Sequence, residues 1–210
     1  MRTALLLCLL AAPVLARAAD APAANASDAD IQAIKKTLAP YAVLKGGFEQ
    51  SKKIRVIKKP LKSEGEFTLI KGKGVLWRTL KPMTSTLRIS RDDIAEIKDG
   101  KAAILISMKD QPALGIIGKV LFAVFSADVD ELKRHFDFIR ATRPDEAGHW
   151  VLVLRPKDAM VRKQIERIDI EGVRFVEGLT LSEVNGDASV IRFTHLTESR
   201  PGKEEEALFE

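Results

Sequence analysis

Hydrophobic and polar positions change period several times along the 210-residue chain, and each change marks an element. Ala4 to Val14 is an unbroken apolar stretch. Ile31, Ile34 and Leu38 then recur at helical spacing, with Ser27 placed to cap, Asp28 and Asp30 in the first turn, and Pro40 ending the run. From Gly47 the period becomes two. Phe48, Ile54 and Val56 share parity, and so do Ser63, Gly65, Phe67 and Leu69, with charged or polar residues between them. After the turn Lys71-Gly72-Lys73-Gly74, Val75, Trp77 and Thr79 alternate with Leu76, Arg78 and Leu80, and Leu87 and Ile89 continue the pattern. Asp99-Gly100 joins Ile94–Lys98 to Ala102–Ile106 as a hairpin turn.

The middle breaks the alternation. Leu114, Ile117, Leu121 and Phe125 belong to a helical stretch that is apolar nearly all round and carries one charge, Lys119. Such a helix is buried, or it covers an apolar surface. A polar helical turn, Asp128 to Arg134, follows it. Strands resume over His135–Thr142, His149–Leu154, Gln164–Ile170, Val173–Val184 and Ala188–Leu196, with Asn185-Gly186 as a strong hairpin signal. In the first of the last two, Val173, Phe175, Leu179 and Leu181 form one face. About ten strands, many hairpins and almost no crossovers predict a mainly β fold with helices: a single, highly curved antiparallel sheet forming an incomplete barrel, with helices as plug or lid.

The ends bound the compartment. Arg2, the short apolar stretch and Ala16-Arg17-Ala18 read as a signal peptide over residues 1–18. The stretch is shorter than the roughly 20 residues a membrane span needs. Residues 19–27 read as a flexible leader, 28–198 as one domain and 199–210 as a polar tail. Cys8 is the one cysteine, and Leu7 before it disfavours lipidation, so the mature chain has neither a disulfide nor a thiolate. Its core must hold it together, and about 190 residues can do so by burying roughly 70% of their unfolded surface. Without Arg2 and Arg17, 32 of the 34 basic residues remain against 29 acidic ones, a mild excess. The basic residues concentrate at Lys52, Lys53, Arg55, Lys58, Lys59 and Lys62, without the interleaved aromatics of a nucleic-acid surface.

Catalytic and metal-binding chemistry has no visible constellation. His135, His149 and His195 lack ligand spacing and read as exposed or edge residues. Gly72-Lys73-Gly74 is too short for a phosphate loop, and no G-x-S-x-G elbow occurs. Asp92 and Asp93 are adjacent, so in a strand they point to opposite faces. What remains is one apolar sheet face and one apolar helix, which form either a permanent core or a cavity for alkyl chains.

Phe48-Glu49-Gln50 after an amphipathic helix, Gly65-x-Phe67, Trp77 ahead of Pro82, and Asp99-Gly100-Lys101 occur in an order and spacing that resemble the LolA-type outer-membrane lipoprotein carriers. Pro112 and the apolar helix fall where that family has its lid. The resemblance implies a non-enzymatic periplasmic carrier and chaperone, monomeric and without cofactor or metal. It would take lipoproteins from an inner-membrane transporter and give them to an outer-membrane acceptor. Shared strand parity and the uncharged helix make Phe48, Phe67, Leu69, Lys71, Trp77, Leu114, Ile117, Leu121 and Phe125 the expected acyl-binding residues of such a carrier. Lys71 and Gly72 stand where the family has Arg-Pro, and Ala102, Ala103 and Ile104 replace an aromatic cluster. Lys71, by its parity with Phe67 and Leu69, is expected to point inward beneath the lid. The departures leave a second reading, a carrier of another lipid or acylated metabolite. A third, an envelope lipid hydrolase, lacks a nucleophile–base pair.

Export with cleavage after Ala18 predicts an intact mass for protein isolated from its bacterial envelope that begins at Ala19. A full-length mass, or a diacylglyceryl adduct on Cys8, would count against it.

Overall fold

The computed structural model describes residues 26–90, 93–98, 101–107, 129–200, 202–207 and 209. The signal-peptide stretch, most of the leader, the Asp99-Gly100 turn and the apolar helix bearing Leu114, Ile117, Leu121 and Phe125 lie outside the described residues.

Helix α1, Asp28–Thr37, is the amphipathic helix the spacing predicts. The Ser27 hydroxyl accepts from the Asp30 backbone N–H at 3.1 Å, and Ile31 and Ile34 are buried. Six strands follow: β1 Val43–Lys53, β2 Leu61–Ile70, β3 Gly74–Lys81, β4 Ser85–Ser90, β5 Asp93–Lys98 and β6 Lys101–Ser107. Helix α2, Val129–His135, leads into β7 Phe136–Thr142 and β8 Trp150–Pro156. The short α3, Ala159–Arg162, precedes β9 Ile165–Gly172, β10 Val176–Glu183 and β11 Ala188–Ser199, and α4, Lys203–Ala207, closes the chain.

All eleven strands form one antiparallel sheet, in the order β6-β5-β4-β3-β2-β1-β11-β10-β9-β8-β7. Two meanders are joined at the centre by the pairing of β1 with β11. The sheet is not closed on itself, which agrees with the incomplete barrel expected from the sequence. Its inner face buries Leu44 and Phe48 from β1, Phe67 and Leu69 from β2, Val75 and Trp77 from β3, and Ile191 and Phe193 from β11. Ile31 and Ile34 of α1, with Leu132 of α2, join the same core. The two helices are also tied by Lys35–Asp130 at 2.6 Å and Lys133–Asp28 at 2.7 Å. The Lys133 ammonium holds the Asp28 carboxyl below its ordinary range, and Lys35 does the same for Asp130. That support is present at neutral pH and disappears as the carboxylates protonate in acid.

Several local expectations are corrected. Strand β1 starts four residues before Gly47 and ends at Lys53, so Ile54 and Val56 are not on its inner face; Val56 is 89% exposed in the β1–β2 loop. A bulge in β10 between Val176 and Gly178 shifts the side-chain parity. Val176 and Leu179 are therefore buried together, while Val173 and Phe175 lie in the preceding turn, where Phe175 packs edge-on against Tyr41. The C-terminal residues include the helix α4, and the Phe209 ring occupies the space a side chain at Gly74 would need.

Gly65 explains the G-x-F spacing. It lies opposite Phe48, and a Cβ there would sit 2.0 Å from the Arg78 carbonyl oxygen and 2.8 Å from the Phe48 ring. Gly65→Ala should cost about 1–3 kcal/mol through overpacking in urea denaturation. Gly72→Ala, where φ is +81° and nothing lies within 4 Å, should cost only about 1 kcal/mol, from backbone strain.

Candidate functional site

The inner face is graded from sealed to open along the strands. Leu44, Leu69 and Val75 form the sealed end. Next comes an aromatic layer. Phe48 stacks on Trp77 with ring centroids 3.9 Å apart, and Phe193 meets Phe67 and Trp77 edge-on at 5.3 Å and 6.3 Å. Register produces this layer: Phe48 pairs with Phe193 across β1–β11, and Phe67 pairs with Trp77 across β2–β3.

Above the aromatic layer the packing opens into a cavity of about 350 Å³. Trp77 is its floor. Leu87, Ile89 and Ile94 line one wall, and Ile165, Ile168, Leu179, Leu181 and Ile191 line the other. Its volume is at the low end of the range usual for ligand sites, about 300–1,000 Å³. Polar groups are confined to the mouth. The Lys52 ammonium reaches the Glu183 carboxylate at 3.2 Å, crossing β11 near the buried Ser189. Gln50 accepts a hydrogen bond from the Ser63 hydroxyl at 3.2 Å through its Oε1. The Lys52–Glu183 pair is partly exposed, so it shapes the mouth more than it stabilises the fold.

The structure distributes the residues expected from sequence over three places. Trp77 lines the cavity, while Phe48, Phe67 and Leu69 are fully buried beneath it as its foundation. Leu114, Ile117, Leu121 and Phe125 lie outside the described residues. The inward placement expected for Lys71 is corrected. The strand ends at Ile70, the Lys71 N–H donates to the Ala42 carbonyl, and the glycine turn carries the side chain into solvent. Lys71 borders an outer groove of about 590 Å³ together with Tyr41, Ile70, Lys73 and Glu206, at the opposite end from the cavity mouth. Burial raises the Tyr41 hydroxyl pKa well above its ordinary value there.

Most of the cavity walls were not among the expected site residues. Parity could have found part of them, because Phe48, Gln50 and Lys52 share one face of β1. The C-terminal wall depends on bulges and on pairing between distant strands, which no local pattern reports. Among the described residues no group of histidine, cysteine and carboxylate side chains is arranged to hold a metal ion. His149 and His195 are exposed, and His135 contacts Glu131 at 3.2 Å. Asp93 is held by Arg88 and Ser90. Among the described residues no helix is long and apolar enough to cross a membrane.

Residues 21–184 match the family model described as "Outer membrane lipoprotein carrier protein LolA-like". Among solved structures, a LolA superfamily protein from Nitrosomonas europaea is similar at a TM-score of 0.49 and 9% identity, covering 89% of this chain and 98% of that one. A DUF1329 family protein from Desulfovibrio piger gives 0.47 and 11%, with 89% and 98% covered. The MucA/MucB complex of Pseudomonas aeruginosa gives 0.40 and 15%, with 85% and 57% covered. Curated protein sequences give no match.

Trp77→Ala should remove the cavity floor and the stack on Phe48, costing about 3–5 kcal/mol in chemical denaturation. A cost near zero would mean that the aromatic layer does not support the core.

Proposed function

The chain belongs to the LolA-like family of outer membrane lipoprotein carrier proteins, and on that basis we propose that it is a periplasmic carrier that holds the acyl chains of lipoproteins in its inner-face cavity. The observation that carries this reading is the gradient of that cavity, apolar from Trp77 upward and polar only at the mouth. A pocket with this lining rewards length of hydrocarbon and makes few demands on shape. Each methylene removed from water contributes about 0.8 kcal/mol. Rigid-body association costs about 4–15 kcal/mol. Binding therefore requires a long alkyl chain, and a short metabolite would not be retained.

The same gradient sets orientation. The tail lies against Trp77 and the walls, and the polar end stays near Lys52, Glu183 and Gln50. No covalent step is needed, so the activity is carriage without catalysis. Export through residues 1–18 would place the protein between an inner-membrane transporter that loads it and an outer-membrane acceptor that unloads it. Phe48, Phe67 and Leu69 serve this function as the rigid floor beneath the ligand, and Trp77 touches the ligand itself.

Trp77 supplies its own reporter. The other tryptophan, Trp150, is buried elsewhere and donates its indole N–H to the Val173 carbonyl at 2.7 Å. In a Trp150→Phe background, a brominated fatty acid should quench Trp77, and a diacylated lipopeptide should compete for the site. Leu181→Phe, which adds bulk inside the cavity, should weaken binding by about tenfold, equivalent to about 1.4 kcal/mol. Mass spectrometry of material co-purifying from the envelope separates a lipoprotein cargo from another acylated compound. Absence of quenching in a folded protein would leave the space as a fixed gap in a solid core.

A further inference from the structure

The large apolar side chains that remain exposed are concentrated at one end of the sheet. Among the described residues these are Val56, Ile57, Leu61, Leu80, Met83 and Val184, together with Met160 and Val190. All but Val190 lie at the end where the cavity opens, on loops, at strand ends or, for Met160, in the short helix α3. Strand register establishes this. Lys53 pairs with Ala188, which sets the β1–β2 and β10–β11 loops side by side, and the Arg55 N–H donates to Asp187 at 2.8 Å. Glu64 pairs with Lys81, which brings the β3–β4 turn to the same end. Glu183 pairs with Ile165, which adds the segment containing Met160. Val56 is 89% exposed and Met83 is 77% exposed.

These apolar residues share the rim with a cluster of cations. Between Glu49 and Glu64 the chain has no acidic residue and six basic ones. Lys52 is paired with Glu183, whereas Lys53, Arg55, Lys58, Lys59 and Lys62 make no ion pair among the described residues. Of the nearby acids, Glu64 is paired with Lys81, while Asp158 accepts from the Met160 and Val161 backbone N–H groups and Asp187 from the Arg55 backbone N–H and the Asn185 amide, so these two keep their charge and reduce the basic field without cancelling it. A lysine-rich turn alone is usually a solvated turn, and scattered exposed leucines need no explanation. Exposed apolar side chains gathered at the same end as a lysine-rich loop combine the two signals that hold a protein at a charged bilayer surface.

We propose that this rim docks on an anionic lipid bilayer. Val56 and Ile57 enter the interfacial layer, and the basic side chains of the β1–β2 loop meet the lipid phosphates. The cavity mouth then faces the membrane, and an acyl chain passing between bilayer and cavity crosses the least water. Docking is independent of what the cavity carries, because it is measured on protein without cargo.

The test is sedimentation of the exported chain, which begins at Ala19, with vesicles of phosphatidylcholine alone, or of phosphatidylcholine and phosphatidylglycerol in equal parts. Binding to the mixed vesicles is expected, weaker by about tenfold or more on the neutral ones and falling as salt is raised. Lys58→Glu with Lys59→Glu should weaken binding by about tenfold. Val56→Glu with Ile57→Glu should weaken it at all salt concentrations. Val56→Trp should shift its emission to shorter wavelength on mixed vesicles. Lys73→Glu, at the opposite end of the sheet, should change nothing. Circular dichroism of each variant checks that the fold is kept, as expected for exposed positions. Equal binding by the native chain and both charge variants would overturn the proposal. So would absence of binding to either vesicle, which would reassign the rim to a protein partner.

Discussion

The pairing of β1 with β11 is the contact on which the rest of the structure depends. Each meander alone is a run of local hairpins with an uncovered apolar face. Val43 to Lys53 against Ser199 to Ala188 joins them across more than half of the chain. This pairing sets Phe48 opposite Phe193 and so assembles the aromatic layer from strands remote in sequence. The ladder also bends at this point. The register shifts between Lys45 and Gly47, opposite His195 at φ +53°, and a side chain at Gly46 would meet the Leu196 side chain and the Thr194 carbonyl at 2.8 Å. A bulge at the central pair bends the strand and increases its right-handed twist at that point. Forming so non-local a pair carries a large loop-closure cost, which the buried inner face must offset.

Alternation carried the N-terminal half of the fold in readable form. Ser27 and Pro40 bracket the helix, and Gly65, Phe67, Leu69, Val75 and Trp77 fall on the face their parity indicates. These strands are regular and one-sided, the condition under which period two is informative. Parity fails wherever the chain adds a residue. The bulge in β10 exchanged Val176 for Phe175, and the end of β1 at Lys53 removed Ile54 and Val56 from the inner face. Lys71 departs from the parity of Phe67 and Leu69 for a related reason. Alternation holds only while the ladder continues, and its backbone already bonds to Ala42 at the start of a turn. The cavity was legible as an apolar face and illegible as a shape, because its volume is set by how far two meanders stand apart.

One ion pair separates the inside from the outside. Lys52 and Glu183 reach over β11 at the level where the lining changes from isoleucine and leucine to glutamine and serine. Its worth in stability is small. Its position still imposes a direction on any amphiphile that enters, since a charged headgroup below that level would lose its water without finding a partner.

The two ends of the sheet, β6 and β7, have no further strand beside them among the described residues. In a closed barrel the circumference is fixed by strand number and stagger, and widening it means breaking a ladder. Here the wall resembles a split ring. An open sheet lacks that constraint, because a small additional twist at each interior pair widens the wall without breaking a ladder. For the acyl carrier proposed above, capacity would then be an elastic property of the sheet.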